Sequence, residues 1–116
     1  MQPKEIRSKT GPEEVIKEAI VKFLTLRGWY VIKTHGNMFQ SGLPDLYATH
    51  YTHGARWIEV KLPLMKGSKF TNAQYEVFPK LVANGSRIWI LTGATEEEYK
   101  KLFKKCNLWE YMGGLI

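Results

Sequence analysis

The stretch RWIEVKL, residues 56–62, alternates with a period of two, the mark of a β-strand. Successive side chains of an extended chain point to opposite faces, so Ile58, Val60 and Leu62 share one face and Trp57, Glu59 and Lys61 the other. The first face is apolar enough to seal a core, while the second sets a carboxylate beside an ammonium. Such a strand needs neighbours, and the sequence supplies them. WYVIK (29–33), DLYATHY (45–51) and RIWIL (87–91) are rich in aromatic and β-branched residues and read as strands, with THGA (52–55) as the turn between the second and third.

Helices fill the intervals. From Glu13 onward Ile16, Ala19, Ile20, Phe23, Leu24 and Leu26 recur at helical spacing until Gly28 stops the run. TNAQYEVFPKLVANG (71–85) opens with Thr71 and, three residues on, Gln74, the capping-box pattern, and closes at Gly85. Pro79 inside it predicts a kink or break. TEEEYKKLFKKC (95–106) predicts a third helix, capped by Thr95, with acids in its first turn and lysines in its last, as the helix dipole favours. The order is α-β-β-β-α-β-α, an α/β fold with a central mixed sheet flanked by helices. Residues 1–12, polar and interrupted by Pro3 and Gly11-Pro12, predict a flexible basic arm, and 13–116 a single domain.

Charge narrows the class of partner. Seventeen Lys and Arg against 11 Asp and Glu leave +6, the electrostatic footprint of a nucleic-acid binder in a domain this small. No apolar run approaches the ~18 residues of a membrane span, and no apolar segment follows the N-terminal charges as in a secretory signal. Cys106 is alone, so neither an internal disulfide nor a cysteine-rich zinc site is expected, and a reducing, cytoplasmic setting is the simple reading. His50 and His53, at a strand end and turn, are not expected to share a face or hold zinc. The terminal NLWEYMGGLI is apolar enough to cover the core or to form a partner surface.

Counting back from the turn at 52–55 brings Asp45 opposite Glu59 and Lys61, within a residue or two. Two carboxylates meeting at a sheet surface repel and resist ionising. A hard divalent cation such as Mg²⁺ removes the conflict. Beside it, the Lys61 ammonium suits holding a water in line with a phosphate and stabilising charge that grows on phosphate oxygens. These are the parts of a phosphodiester hydrolase. Each part has an ordinary explanation: Glu-x-Lys as a solvated strand face, GLPD as a turn. Their conjunction, in this order, is more specific.

With RGWYVIK, SGLPDL, IEVK and TNAQ in sequence, residues 13–92 resemble the VRR-NUC (virus-type replication-repair nuclease) domain of the PD-(D/E)XK nuclease superfamily. The resemblance implies a restriction-endonuclease-like core. It implies that Asp45 and Glu59 ligate Mg²⁺ or Mn²⁺ with the backbone carbonyl of Val60, that Lys61 positions or activates the attacking water, and that a glutamate of the first helix completes the site. Glu13, Glu14 and Glu18 are the candidates. Glu13 shares a helical stripe with Ile16, Ile20 and Leu24 and so faces the sheet, whereas Glu14 and Glu18, with Lys17 and Lys22 nearby, read as solvent-facing ion pairing. Gln74 matches a glutamine of the family, although its capping box accounts for it equally well. Lys33, Lys66, Lys69 and Arg7 flank the site as phosphate contacts, with His35 in the adjoining loop. The implied activity is metal-dependent endonucleolytic cleavage of DNA, selective for branched structures such as four-way (Holliday) junctions, in repair or recombination. A homodimer with two active sites is implied as well. The alternative is a catalytically inactive DNA-binding module of the same fold.

Overall fold

The computed structural model describes residues 11–34 and 41–113. Four strands form one mixed sheet in the order β1 (Tyr30–Lys33), β2 (Leu46–His50), β3 (Gly54–Val60), β4 (Ile88–Leu91). The first two pairings are antiparallel and β3–β4 is parallel, so the chain crosses over through α2 (Asn72–Ala83) between them. Before the sheet comes α1 (Pro12–Thr25); after it come α3 (Glu96–Lys100) and α4 (Leu108–Met112).

Strand alternation sorts the apolar residues into two cores. Ile58 and Val60 of β3, Leu46 and Ala48 of β2, and Trp89 and Leu91 of β4 pack with Ile20 and Leu24 of α1. Ile88 and Ile90 face the other way, onto Phe78 of α2 and Leu108 and Met112 of α4. The three-layer α/β arrangement expected from the period-two and helical patterns is therefore present.

β4 is buried along its whole length although it is an edge strand. Asn107 resolves that tension. Its side-chain oxygen accepts from Ile90 N–H at 2.7 Å and its amide donates to the Ile90 carbonyl at 3.1 Å. A single side chain thus satisfies both outward main-chain groups of Ile90, where a further strand would otherwise pair.

Several elements depart from the sequence expectations. Pro79 does not break α2, which runs through it; the Tyr75 carbonyl that loses its helical donor belongs to an exposed residue, where water can replace it. The predicted helix 95–106 stops at Lys100 and tightens into a 3₁₀ turn, Lys101–Phe103. Side chains claim the carbonyls there: Arg56 Nε donates to Leu102 O at 2.8 Å and Trp89 Nε1 to Lys104 O at 3.0 Å. Of the two roles offered for the apolar C-terminal segment, Leu108 and Met112 fill the core one. Leu115 and Ile116 lie outside the described residues, and no helix among the described ones is long and apolar enough to cross a membrane.

Gly42 sets the loop before β2 against α2. Its φ is +89°, and an added Cβ would lie 2.7 Å from the Ala73 carbonyl oxygen and 2.9 Å from Val77 Cγ2. Both the left-handed backbone and the close approach demand glycine. Gly42→Ala should cost ~1–3 kcal/mol, seen as a lower urea midpoint with an unchanged m-value.

Candidate functional site

The loop that Gly42 admits delivers Asp45 to the mouth of β2. Thr34, just after β1, fastens it, its hydroxyl donating to the Pro44 carbonyl and its N–H to Asp45 O at 3.0 Å. Because Leu46 pairs with Ile58, Asp45 stands one step further, opposite Glu59. Each acid accepts a backbone N–H from the segment opposite, Glu59 from Asp45 itself and Asp45 from Val60. Asp45 N–H donates to Glu59 Oε1 at 3.1 Å, and Val60 N–H donates to Asp45 Oδ2 at 3.0 Å. In extended chain the N–H and C=O of one residue project to the same side, so the Val60 carbonyl also faces Asp45.

Glu59 and Lys61 were expected at a sheet surface; instead they are 1% and 3% exposed. The start of α2 and the loop before it cover them. Lys61 Nζ lies 3.1 Å from Glu59 Oε2, donates to Lys69 O at 2.8 Å, and sits 4.6 Å from the centre of the Phe70 ring. Gln74 both caps α2 and reaches Glu59. Its Oε1 accepts from Thr71 N–H at 3.0 Å while Thr71 Oγ1 accepts from Gln74 N–H at 3.1 Å, a complete capping box, and its Nε2 donates to Glu59 Oε2 at 2.9 Å. Thr71 capping aims the amide at the acid.

Burial, and then the charge of Asp45, push the Glu59 carboxyl up to about 8, against the pull of Lys61 and Gln74. A second ammonium answers Asp45. Lys17 of α1 is 5% exposed and reaches Asp45 Oδ1 at 3.5 Å and Glu14 Oε1 at 3.3 Å. Burial alone would lower its pKa, yet Asp45 and Glu14 hold it above the ordinary lysine value. Sequence reasoning misread Lys17 as solvent-facing. The signal was there: Lys17 precedes Ile20 by three and Leu24 by seven, inside the buried stripe of α1.

Asp45, Glu59, Lys61, Gln74 and the Val60 backbone thus meet at one end of β3. Glu13 stands a step away, taking the Ser68 hydroxyl, whose oxygen in turn accepts from Leu62 N–H at 2.8 Å. Glu14, expected to face solvent, is half-buried and touches Asp45 only through Lys17. Glu18 is exposed and pairs with Lys33, so that proposed phosphate contact already holds an anion. Lys66 and Lys69 are exposed on the loop after β3. His35 and Arg7 lie outside the described residues. His50 and His53, not expected to share a face, stack with ring centres 4.4 Å apart. Among the described residues no group of three His, Cys, Asp or Glu side chains is placed to hold a metal.

The donor chemistry still suits a hard divalent cation: two carboxylates at the ends of adjacent strands, with the Val60 backbone, whose N–H meets Asp45, alongside them. Burial accounts for most of the rise of the Glu59 carboxyl and the Asp45 charge for the next part, and a cation between the two acids would offset the second.

Gln74→Glu separates capping from site chemistry. Glutamate keeps the capping box, but it sets a carboxylate where the amide now donates to Glu59. The variant should lose ~1–3 kcal/mol at pH 8 and recover much of it near pH 5, where the two acids share a proton. Thr71→Ala, which removes only the cap, should cost ~1 kcal/mol at both pH values; urea titrations distinguish them. No protein-family model, curated protein or solved structure matches this chain significantly.

Proposed function

We propose that the chain is a metal-dependent endonuclease that hydrolyses phosphodiester bonds in DNA, with a restriction-endonuclease-like PD-(D/E)XK core of the VRR-NUC kind. The meeting of Asp45 and Glu59 at the end of two adjacent strands, with Lys61 Nζ 3.1 Å from Glu59, carries this reading. A buried carboxyl and ammonium, Glu59 and Lys61, with a half-buried Asp45 against them, cost folding free energy, which a purely structural role leaves unexplained.

Asp45, Glu59 and the Val60 carbonyl would hold Mg²⁺, or Mn²⁺ in its place, with Glu13 or Glu14 supplying charge from α1. Bound there, the ion supplies Lewis acidity toward a phosphoryl oxygen. The protein's own groups do the rest. Lys61, fixed by the Lys69 carbonyl and by Glu59, has a third N–H to orient a water and steady charge on the phosphate oxygens. Gln74 holds Glu59 in place. In the reaction the water oxygen bonds to phosphorus, one P–O ester bond breaks, and the leaving oxygen takes up a proton. The exposed Lys66 and Lys69 track the DNA backbone. Branched DNA, a four-way junction above all, is the proposed substrate, and a homodimer with two such sites would cut its strands symmetrically.

A second reading has its own observation. Each carboxylate oxygen of the pair already meets a protein donor: Lys17 and Val60 N–H for Asp45, and Asp45 N–H, Gln74 and Lys61 for Glu59. On that reading the cluster is a polar clasp in a DNA-binding module that does not cut. Purified protein incubated with four-way-junction, flap, single-stranded and duplex DNA, in Mg²⁺ or EDTA, decides between them. Nicking that requires the divalent ion supports the enzyme; binding without nicking in Mg²⁺ or Mn²⁺ supports the module, and cleavage that persists in EDTA refutes the metal mechanism.

A further inference from the structure

At the opposite end of β3 lies a feature that the proposed chemistry does not use. β4 begins opposite Trp57, so the first residues of β3, Gly54–Arg56, have no strand on that side. The gap is a groove of about 660 Å³, walled by Gly85–Arg87 before β4 and by Leu102–Lys104 after α3. That volume falls within the ~300–1,000 Å³ of small-molecule sites.

Its lining has two chemistries. Arg56, Arg87 and Lys104 bring positive charge, and no Asp or Glu is among the lining residues. Extending the β3–β4 register by one step from Trp57↔Ile88 sets Arg56 beside Arg87, a like-charge juxtaposition that an anion relieves. Aromatic groups stand on the other face of β3, reached round its unpaired edge: Tyr47 and Trp57 contact edge-on, with ring centres 4.9 Å apart, and both are half-buried at the groove. Arg56 is already braced, donating to Leu102 O, His53 O and Ala55 O and lying 5.1 Å from the Trp89 ring centre, so its guanidinium is preorganised. Arg87 and Lys104 are exposed and extend the charge to the rim.

We infer that this groove binds a nucleoside phosphate, either a free nucleotide or the terminal nucleotide of a DNA strand, straddling the unpaired edge of β3, with the phosphate on Arg56, Arg87 and Lys104 and the base round the edge against Trp57 and Tyr47. Clustered cations with no acid among them select an anion; a half-exposed aromatic pair selects a flat ring.

Calorimetric titration of the full chain tests this, in EDTA so that it reads the groove whether or not Asp45 and Glu59 hold a metal. Deoxyadenosine 5′-monophosphate should bind, and deoxyadenosine or inorganic phosphate alone should bind at least about tenfold more weakly, each lacking half the recognition. Arg87→Glu and Lys104→Glu, both at exposed positions, should each weaken the nucleotide at least about tenfold with thermal stability retained. An oligonucleotide with a 5′-phosphate that binds more tightly than its 5′-hydroxyl twin identifies the strand end as the source; equal binding of the two, with the mononucleotide still bound, identifies the free nucleotide. No binding of the mononucleotide overturns the inference, as does an affinity untouched by Arg87→Glu. Phosphate binding as tightly as the nucleotide reduces the groove to an adventitious anion site and overturns it too.

Discussion

Asp45→Asn should lower the proposed Mg²⁺-dependent nicking of branched DNA by at least ~10³-fold, since one proposed oxygen ligand and one full charge leave the site together. The exchange is nearly isosteric. Oδ1 of asparagine still accepts a hydrogen bond, so the contact with Val60 N–H at 3.0 Å can persist and the loop before β2 keep its course. The Lys17 ammonium loses its anion 3.5 Å away; Lys17 is buried, so a modest loss of stability is expected. Nicking rates measured with near-UV circular dichroism on the same sample separate the two effects. A folded Asp45→Asn protein that nicks at the wild-type rate removes Asp45 from the mechanism.

Lys61→Met should be the most destabilising single change in the cluster at pH above 8, ~3–5 kcal/mol, because there it strands an ionised buried carboxylate, and it should cost less at pH 6, where Glu59 keeps its proton. The methionine keeps much of the side chain's volume, so little of the loss is a cavity. pH reports the same charge balance. The Glu59 carboxyl stands near 8 in the fold against 4.5 in the unfolded chain. Between those values the folded protein holds a proton that the unfolded chain has released. Its contribution is therefore fully present below about pH 4.5 and is lost as pH rises toward 8. Removing Lys61 takes away a pull on that carboxyl, so the variant's decline should extend to higher pH. Mg²⁺ acts in the opposite sense, since a cation bound to ionised Glu59 expels the proton. Thermal denaturation should show a larger Mg²⁺-induced rise in Tm at pH 8 than at pH 6. Equal midpoints with and without Mg²⁺ at both pH values would leave the cluster a structural clasp.

Much of this architecture was legible because strand alternation is a local property. The faces of residues 57–61 follow from period two alone, and the Asp45–Glu59 juxtaposition follows from period two and a short turn. Capping is equally local: Thr71 and Gln74 announced their box in four letters. The resemblance of SGLPDL and IEVK to a nuclease family named the same residues, and their chemical role awaits the assays above. What could not be read was anything depending on which layer covers what. Glu59 and Lys61 looked surface-bound because nothing in IEVK says that the start of α2 will lie over them. Lys17 looked solvated because a lysine at a buried helical position is rare, although its spacing matched Ile20 and Leu24. The arginine-lined groove joins β3, the turn before β4 and the segment after α3, and no local pattern links those stretches.

The sequence by itself determined the order of the elements through β4, the facing of each strand residue and the meeting of two acids and a lysine at one strand end, but not the separate helix Leu108–Met112. These depend on neighbours within a few positions, where backbone geometry leaves little choice. Tertiary structure alone decided how deeply that trio is buried, that Lys17 joins it, and that β4 starts late enough to open a groove. Burial and charge compensation are sums over residues distant in the chain, and only packing brings those terms together.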